Sequence, residues 1–163
     1  MTAGGPYRFR RAAAGDAPLL ADWRARPHVR AWWGAHDPAE DSEDDPRVAR
    51  WIVETEGRPF AFLQDYAVHG WDGHHFDALP AGSRGIDQYI GEPALTGRGH
   101  GPAFIAMRVR SLFEEGAPVV ATDPHPENGR AIAAYRKVGF HVSGPPRETE
   151  WGPILPMQIA RPR

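Results

Sequence analysis

Polar and apolar positions alternate over Tyr7-Arg8-Phe9-Arg10, which predicts a short first strand. Leu19, Leu20 and Trp23 then recur at helical spacing behind Asp16, a residue type that caps helices. His28 to Trp33 predicts a second short helical turn, closed by Gly34. The apolar-rich runs Arg50 to Glu54 and Pro59 to Val68 flank Glu56-Gly57 and predict a hairpin with a short loop. Residues 69–83 contain Gly70, Gly73, Pro80 and Gly82, so a long loop is expected, a kind of segment that often carries function. A strand over Arg84 to Gly91 follows, then a Gly-rich turn and a helix over Pro102 to Glu115. Ile105, Val109, Leu112 and Phe113 form its apolar face. Val119 to Thr122 reads as a buried strand and Asn128 to Val138 as a helix stopped by Gly139. Two strands, Phe140 to Ser143 and Ile154 to Ala160, are expected to finish the chain.

The predicted order is β-α-α-β-β-β-α-β-α-β-β. Helices alternating with strands predict an α/β fold, and the hairpin makes its sheet mixed rather than all parallel. With no composition break, linker or internal repeat, residues 1–163 are expected to form a single domain.

Charge narrows the functional classes. A formal net charge of −2 leaves no electrostatic footprint for nucleic acid. The acidic stretch Asp37 to Asp45 reads as a solvated loop, and its Glu40 to Asp45 part favours a cationic partner. With 41% hydrophobic residues the chain has a core-forming composition. The chain has no cysteine, which excludes disulfides, thiolate metal sites and a cysteine nucleophile. Neither a membrane-length apolar run nor a signal-peptide h-region is found, so the expected location is the cytoplasm, with no membrane partner.

Two segments carry chemistry. Thr96-Gly97-Arg98-Gly99-His100-Gly101 lies between a strand and a helix. The unpaired N–H groups and dipole of a helix start favour phosphate, and glycines let the backbone approach it. A turn that merely reverses the chain has the same composition, and the Gly-Lys-Ser/Thr of a P-loop is missing. The second segment runs from Asn128 through Ala131 and Tyr135 to Gly139-Phe140. Ala131, Ile132, Tyr135 and Val138 share one helix face, and Tyr135 lies about two turns beyond Asn128. Tyr135 reads either as a core aromatic or as a phenol able to protonate a leaving group.

Together the two segments resemble the GNAT acyltransferase superfamily. The spacing Asn128-x-x-Ala131-x-x-x-Tyr135-x-x-x-Gly139-Phe140 resembles its second coenzyme-binding motif, and residues 96–101 resemble its pyrophosphate loop, with Thr96 where Gln or Arg is usual. Further segments resemble the aminoglycoside 6′-N-acetyltransferase group: His28 to Gly34, Asp72-Gly73, Arg84 to Gln88 and Thr122 to Asn128. His74-His75 departs from that group, where tryptophans are usual.

The resemblance implies a mostly antiparallel sheet splayed between two central parallel strands, with helices on both faces. It implies acetyl-CoA as cosubstrate, held by Gln88, Tyr89, Ile90, Thr96, Gly97, Arg98, Gly99, His100, Gly101, Asn128 and Ala131. It implies transfer of the acetyl group to a primary amine, most closely the 6′-amine of an aminoglycoside, with Asp87 as base, Tyr135 as acid and no metal. Asp72, Asp87 and Asp123, with Trp32 or Trp33 as a flat wall, would suit a cationic small-molecule acceptor. The chain is expected to act as a monomer or homodimer. Another acceptor, such as a lysine-type siderophore precursor or a polyamine, and a non-catalytic acyl-CoA-binding domain stay open. His69, His74 and His75 with Asp72 and Asp77 raise a metal site as a further alternative, although their spacing fits no standard zinc motif.

Overall fold

A computed structural model describes residues 6–35 and 45–163; the acidic stretch 37–45 lies outside the described residues except for Asp45. The chain order begins with β1 (Tyr7–Arg11), α1 (Ala17–Ala25), α2 (Pro27–Trp33), β2 (Val48–Thr55), β3 (Arg58–Ala67) and β4 (Arg84–Ile90). It continues with α3 (His100–Glu114), β5 (Val119–Thr122), α4 (Gly129–Val138), β6 (His141–Val142), β7 (Arg147–Thr149), β8 (Gly152–Ile154) and β9 (Met157–Ala160). Seven strands hydrogen-bond in the order β1-β2-β3-β4-β5-β9-β6, while β7 and β8 form a separate ribbon. β4 and β5 are parallel; β1–β2, β5–β9 and β6–β9 are antiparallel. This is the mixed, mostly antiparallel architecture that the resemblance implies.

Local chemistry explains the main boundaries. Glu56 and Gly57 both take positive φ, 51° and 75°, the pair of angles that a two-residue hairpin turn needs to match strand twist. Gly139 ends α4 at φ 117°, and Asn128 opens it by accepting a hydrogen bond from the Ala131 N–H at 3.3 Å. The helix α3 starts at His100 rather than Pro102, because the first turn needs no N–H donor and tolerates proline inside it. Asp16 does not cap α1 with its side chain. Its carboxylate instead receives Arg10 at 2.8 Å and the Ala13 N–H at 2.8 Å. The β7–β8 ribbon escapes the hydrophobic pattern because its strands are three residues each and mostly exposed or half-exposed.

The chain divides into two compact units, residues 1–64 with 88–101, and residues 65–87 with 102–163. In the first, Leu20, Trp23 and Val29 from α1 and α2 pack with Ile52, Phe62 and Tyr89 from the strands. The second has a core that includes Phe104, Ile105, Leu112, Val120, Ile132 and Met157. Its fully buried Asp65 is neutralised by Arg84 at 2.6 Å and Arg108 at 2.8 Å, which satisfies a charge that would otherwise be very costly to bury.

Candidate active site

Strand register explains how the acidic residues of the second unit meet. Gly85 pairs with Ala121 across the parallel β4–β5 ladder. Asp87 and Asp123 each lie two residues further on, so the period of two brings them to the same face at the same level. Thr122 Oγ1 donates to the Ile86 carbonyl at 2.9 Å and ties the strands together just before this point. Asp123 is hydrogen-bonded to Asp87 through their side chains. Two carboxyl groups make such a bond only when they hold a proton between them. Burial pushes the Asp123 carboxyl up to about 6, against hydrogen bonds from Asp87 and its own backbone that pull it down.

Tyr66 and Tyr135 complete this group. The Tyr66 ring fills the space that a side chain on Gly85 would need. Burial raises its phenol well above the ordinary tyrosine range, and the charges of Asp123 and Asp87 and the neighbouring Tyr135 add to the rise. Tyr135 on α4 is buried, with its ring edge-on to Phe140 at 5.3 Å. Asp87, Asp123 and Tyr135, singled out from the sequence, all act electrostatically on a buried tyrosine that the hydrophobic pattern hid. The available signal was Gly85, since a glycine inside a strand marks a close approach.

The long loop supplies a histidine layer in the same unit. His75 Nε2 lies 2.7 Å from Asp123 Oδ2. The His74 and His75 rings stack at 4.1 Å, and Tyr66, Trp71, Phe76 and Trp151 surround His74. Burial, then the neighbouring His75, lowers the His74 imidazole to about 4. His69 Nε2 turns to the Asp77 carbonyl at 3.0 Å. These histidines thus take different partners, and no cluster of three or more metal-ligating side chains occurs among the described residues. Asp72 is exposed on the same loop.

In the first unit, residues 90–92 are clasped by the helical segment. Arg26 donates to the Gly91 carbonyl at 2.9 Å and pairs with Glu92 at 3.0 Å, while His28 Nε2 reaches the Ile90 carbonyl at 2.8 Å. Trp23 occupies the side-chain space of Gly91 and donates to Glu92 Oε1 at 3.1 Å. These contacts fix the backbone that follows Gln88 and Tyr89. The loop after it turns on Gly97 and Gly99, at φ 70° and 85°. Thr96 Oγ1 donates to the Pro93 carbonyl at 2.7 Å, Arg98 is exposed, and Gly101 lies in the first turn of α3. His100 is held through Nδ1 by the Tyr7 hydroxyl at 2.8 Å. The resulting helix start is open to an anion through its backbone amides. Trp33 packs edge-on to Phe62 and Tyr89, whereas Trp32 is 44% exposed. Of the two tryptophans, Trp32 is therefore the one with open surface.

Residues 12–145 match the acetyltransferase (GNAT) domain family. The chain is 30% identical over 142 residues to aminoglycoside N(6')-acetyltransferase type 1 of Klebsiella pneumoniae, covering 79% of this chain and 71% of that one. It is 30% identical over 120 residues to the lysine N-acyltransferase MbtK of Mycobacterium tuberculosis, covering 66% of this chain and 55% of that protein. Its fold is similar to that of aminoglycoside acetyltransferase AAC(6')-Ib in complex with coenzyme A and kanamycin, with a TM-score of 0.86, 30% identity and 95% of both chains covered.

Proposed function

This chain belongs to the GNAT acetyltransferase family, and we propose that its acceptor is the 6′-amine of an aminoglycoside. It is an acetyl-CoA-dependent N-acetyltransferase. At neutral pH an aliphatic amine is mostly a cation and cannot attack until it loses a proton. Asp87 attracts the ammonium group and takes that proton. The amine nitrogen then attacks the thioester carbonyl carbon, and the carbonyl oxygen gains negative charge stabilised by backbone N–H of the Gln88–Ile90 segment. Collapse breaks the C–S bond. Tyr135 gives its proton to the departing sulfur, leaving an amide and coenzyme A. The loop Thr96–Gly101 and the Asn128–Ala131 helix start hold the coenzyme. Asp72, Asp123 and Trp32 serve the acceptor.

The observation that carries this reading is the Asp87–Asp123 carboxyl pair beside Tyr66 and Tyr135. It is a base-and-acid set in a chain that resembles aminoglycoside acetyltransferases over most of its length. A second reading, a lysine side-chain amine as acceptor, is favoured by the likeness to the lysine N-acyltransferase. Release of the coenzyme A thiol, followed with kanamycin, ribostamycin, lysine and spermine in turn, tests both. Turnover with kanamycin or ribostamycin well above that with lysine supports the first reading. Preference for lysine supports the second, and no turnover with any amine removes both.

A further inference from the structure

We propose that His28 is a positioning residue of the acetyl-transfer site: its Nε2–H caps the Ile90 carbonyl, so the strand edge that receives the thioester offers the Ile90 N–H without a bare carbonyl beside it. The inference deepens the acetyl-transfer reading and rests on its assignment of the thioester oxygen to the Gln88–Ile90 backbone.

Strand geometry decides which backbone groups share an edge. Successive residues of a strand turn to opposite edges, and each residue's own N–H and C=O point the same way. Gly91 donates its N–H to the Phe60 carbonyl of β3 at 2.8 Å, so it turns toward β3. Gln88 and Ile90 therefore turn to the other edge, the one on which the Ile86 carbonyl receives Thr122 Oγ1 at 2.9 Å. An oxyanion held by the Ile90 N–H has the Ile90 carbonyl oxygen as its neighbour. Two negative charges side by side repel, and the repulsion grows as the thioester oxygen becomes an oxyanion.

His28 offsets that repulsion. Its Nε2 lies 2.8 Å from the Ile90 oxygen. A carbonyl oxygen only accepts, so Nε2 carries the hydrogen whether the ring is neutral or charged. The neighbouring contacts hold two successive peptide groups in place. The Ile90–Gly91 peptide is tied at its carbonyl by His28 and at its N–H by Phe60. The Gly91–Glu92 peptide is tied at its carbonyl by Arg26 at 2.9 Å, and its N–H shares the Phe60 oxygen at 3.2 Å. Two residues set against one in this way form a bulge, a device that re-aims the backbone. The Glu92 carboxylate pairs with Arg26 at 3.0 Å and accepts the Trp23 indole N–H at 3.1 Å. The Ile90 carbonyl, the Gly91 carbonyl and the Glu92 carboxylate thus each receive a donor from Trp23, Arg26 or His28. Apolar packing by Leu20, Trp23 and Val29 already docks the helices on the sheet, and it needs no donor aimed at the Ile90 oxygen.

The test binds acetyl-CoA, labelled with carbon-13 at the thioester carbonyl, to the full chain and reads the infrared spectrum of the label. Binding to the wild type should lower the carbonyl stretching frequency below its value in solution. In His28→Phe, which keeps a flat ring without the donor, that shift should shrink. In His28→Gln, which sets an N–H near the Nε2 position, it should stay close to wild type. With an amine that turns over, kcat of His28→Phe should fall about tenfold while the KM for acetyl-CoA changes less than about twofold, because the lost interaction acts mainly on the oxyanion. The glutamine variant should recover most of kcat. A wild-type shift that His28→Phe leaves intact overturns the proposal alone, and so does a glutamine variant as impaired as the phenylalanine one. Absence of a shift in the wild type overturns the assignment of the thioester to this edge, and the proposal with it. If His28→Phe does not fold, His28→Asn, whose shorter amide falls short of the Ile90 oxygen, takes its place. The spectra require no acceptor, so they decide the role of His28 even if the amine screen fails.

Discussion

The ring of Tyr66 stands where a side chain on Gly85 would have to be. The charges of Asp87 and Asp123, just beyond the β4–β5 ladder, act on this buried phenol. Gly85→Ala must therefore displace the ring or shift a strand. The expected cost is about 1–3 kcal/mol of stability from overpacking. Turnover should fall roughly tenfold or more, because a small misplacement of reacting groups is expensive. Denaturant midpoints and coenzyme A release measure the two effects. A variant with both at wild-type values would mean that Tyr66 does not position the pair.

The carboxyl pair sets the pH dependence of turnover. Asp123 is raised from 3.8 to about 6, so the site holds a proton through the range where ordinary carboxylates have lost theirs. Asp123 gives up the pair's first proton at about 6, and Asp87 serves as base only once its own proton has also left, so kcat/KM should rise with pH from about 6 upward. Asp87→Asn should lower it by about 10²–10⁴ while acetyl-CoA affinity persists. A profile that is flat from about pH 5 to 9, or an active asparagine variant, would contradict the assignment.

His74 gives folding a pH dependence of opposite sign to that of Asp123. Its imidazole is lowered from 6.5 to about 4 by burial, so the unfolded chain binds the proton more readily than the folded one. That stability is fully present above 6.5 and is lost as pH falls through 4. Asp123, raised above its unfolded value, contributes stability below 3.8 that is lost as pH rises through 6. Between about 4 and 6 the two oppose each other. In His74→Phe only the Asp123 contribution remains. Stability should then fall less, or even rise, on acidification over this range. Urea midpoints at several pH values read the slope, and parallel slopes in the two proteins would refute it.

Much of this arrangement is legible in the sequence, for reasons that differ by element. Alternation gives β1, and helical spacing gives the apolar face of α3, because each element buries one face. Asn128, Tyr135 and Gly139 stand out because cap, acid candidate and stop fall at fixed helical offsets. Asp87 is conspicuous because strands disfavour aspartate. Tyr66 is not conspicuous, since an aromatic in a strand reads as core until the facing glycine is known. His75 suggests metal binding in the sequence, and only its approach to Asp123 gives it another partner. The clasp of Arg26 and His28 on residues 90–92 depends on backbone carbonyls, which leave no pattern in side-chain order.

Asn128 links helix stability to coenzyme binding. Its side chain satisfies the Ala131 N–H at the start of α4. Asn128→Ala should cost about 1 kcal/mol of stability, the usual value of a lost cap. It should also raise the KM for acetyl-CoA more than that for the amine, because the same helix start is proposed to hold the coenzyme. Equal shifts in both KM values would separate the cap from the coenzyme site.

Tyr135→Phe removes one oxygen and leaves the ring that packs against Phe140. The fold and melting temperature should change little, and the KM for acetyl-CoA should stay near wild type. If the hydroxyl protonates the departing sulfur, kcat and kcat/KM should fall together, because the interaction exists only as the C–S bond breaks. The size of the loss should depend on pH. A thiol is far more acidic than an alcohol and leaves readily as the thiolate, so the need for an acid is modest and weakens in alkaline solution. A deficit of roughly tenfold to a hundredfold near neutrality, narrowing as pH rises, is the expected signature. A wild-type rate at neutral pH would remove the acid role. A deficit that instead appears in KM alone would mean that the hydroxyl binds the coenzyme rather than protonating it.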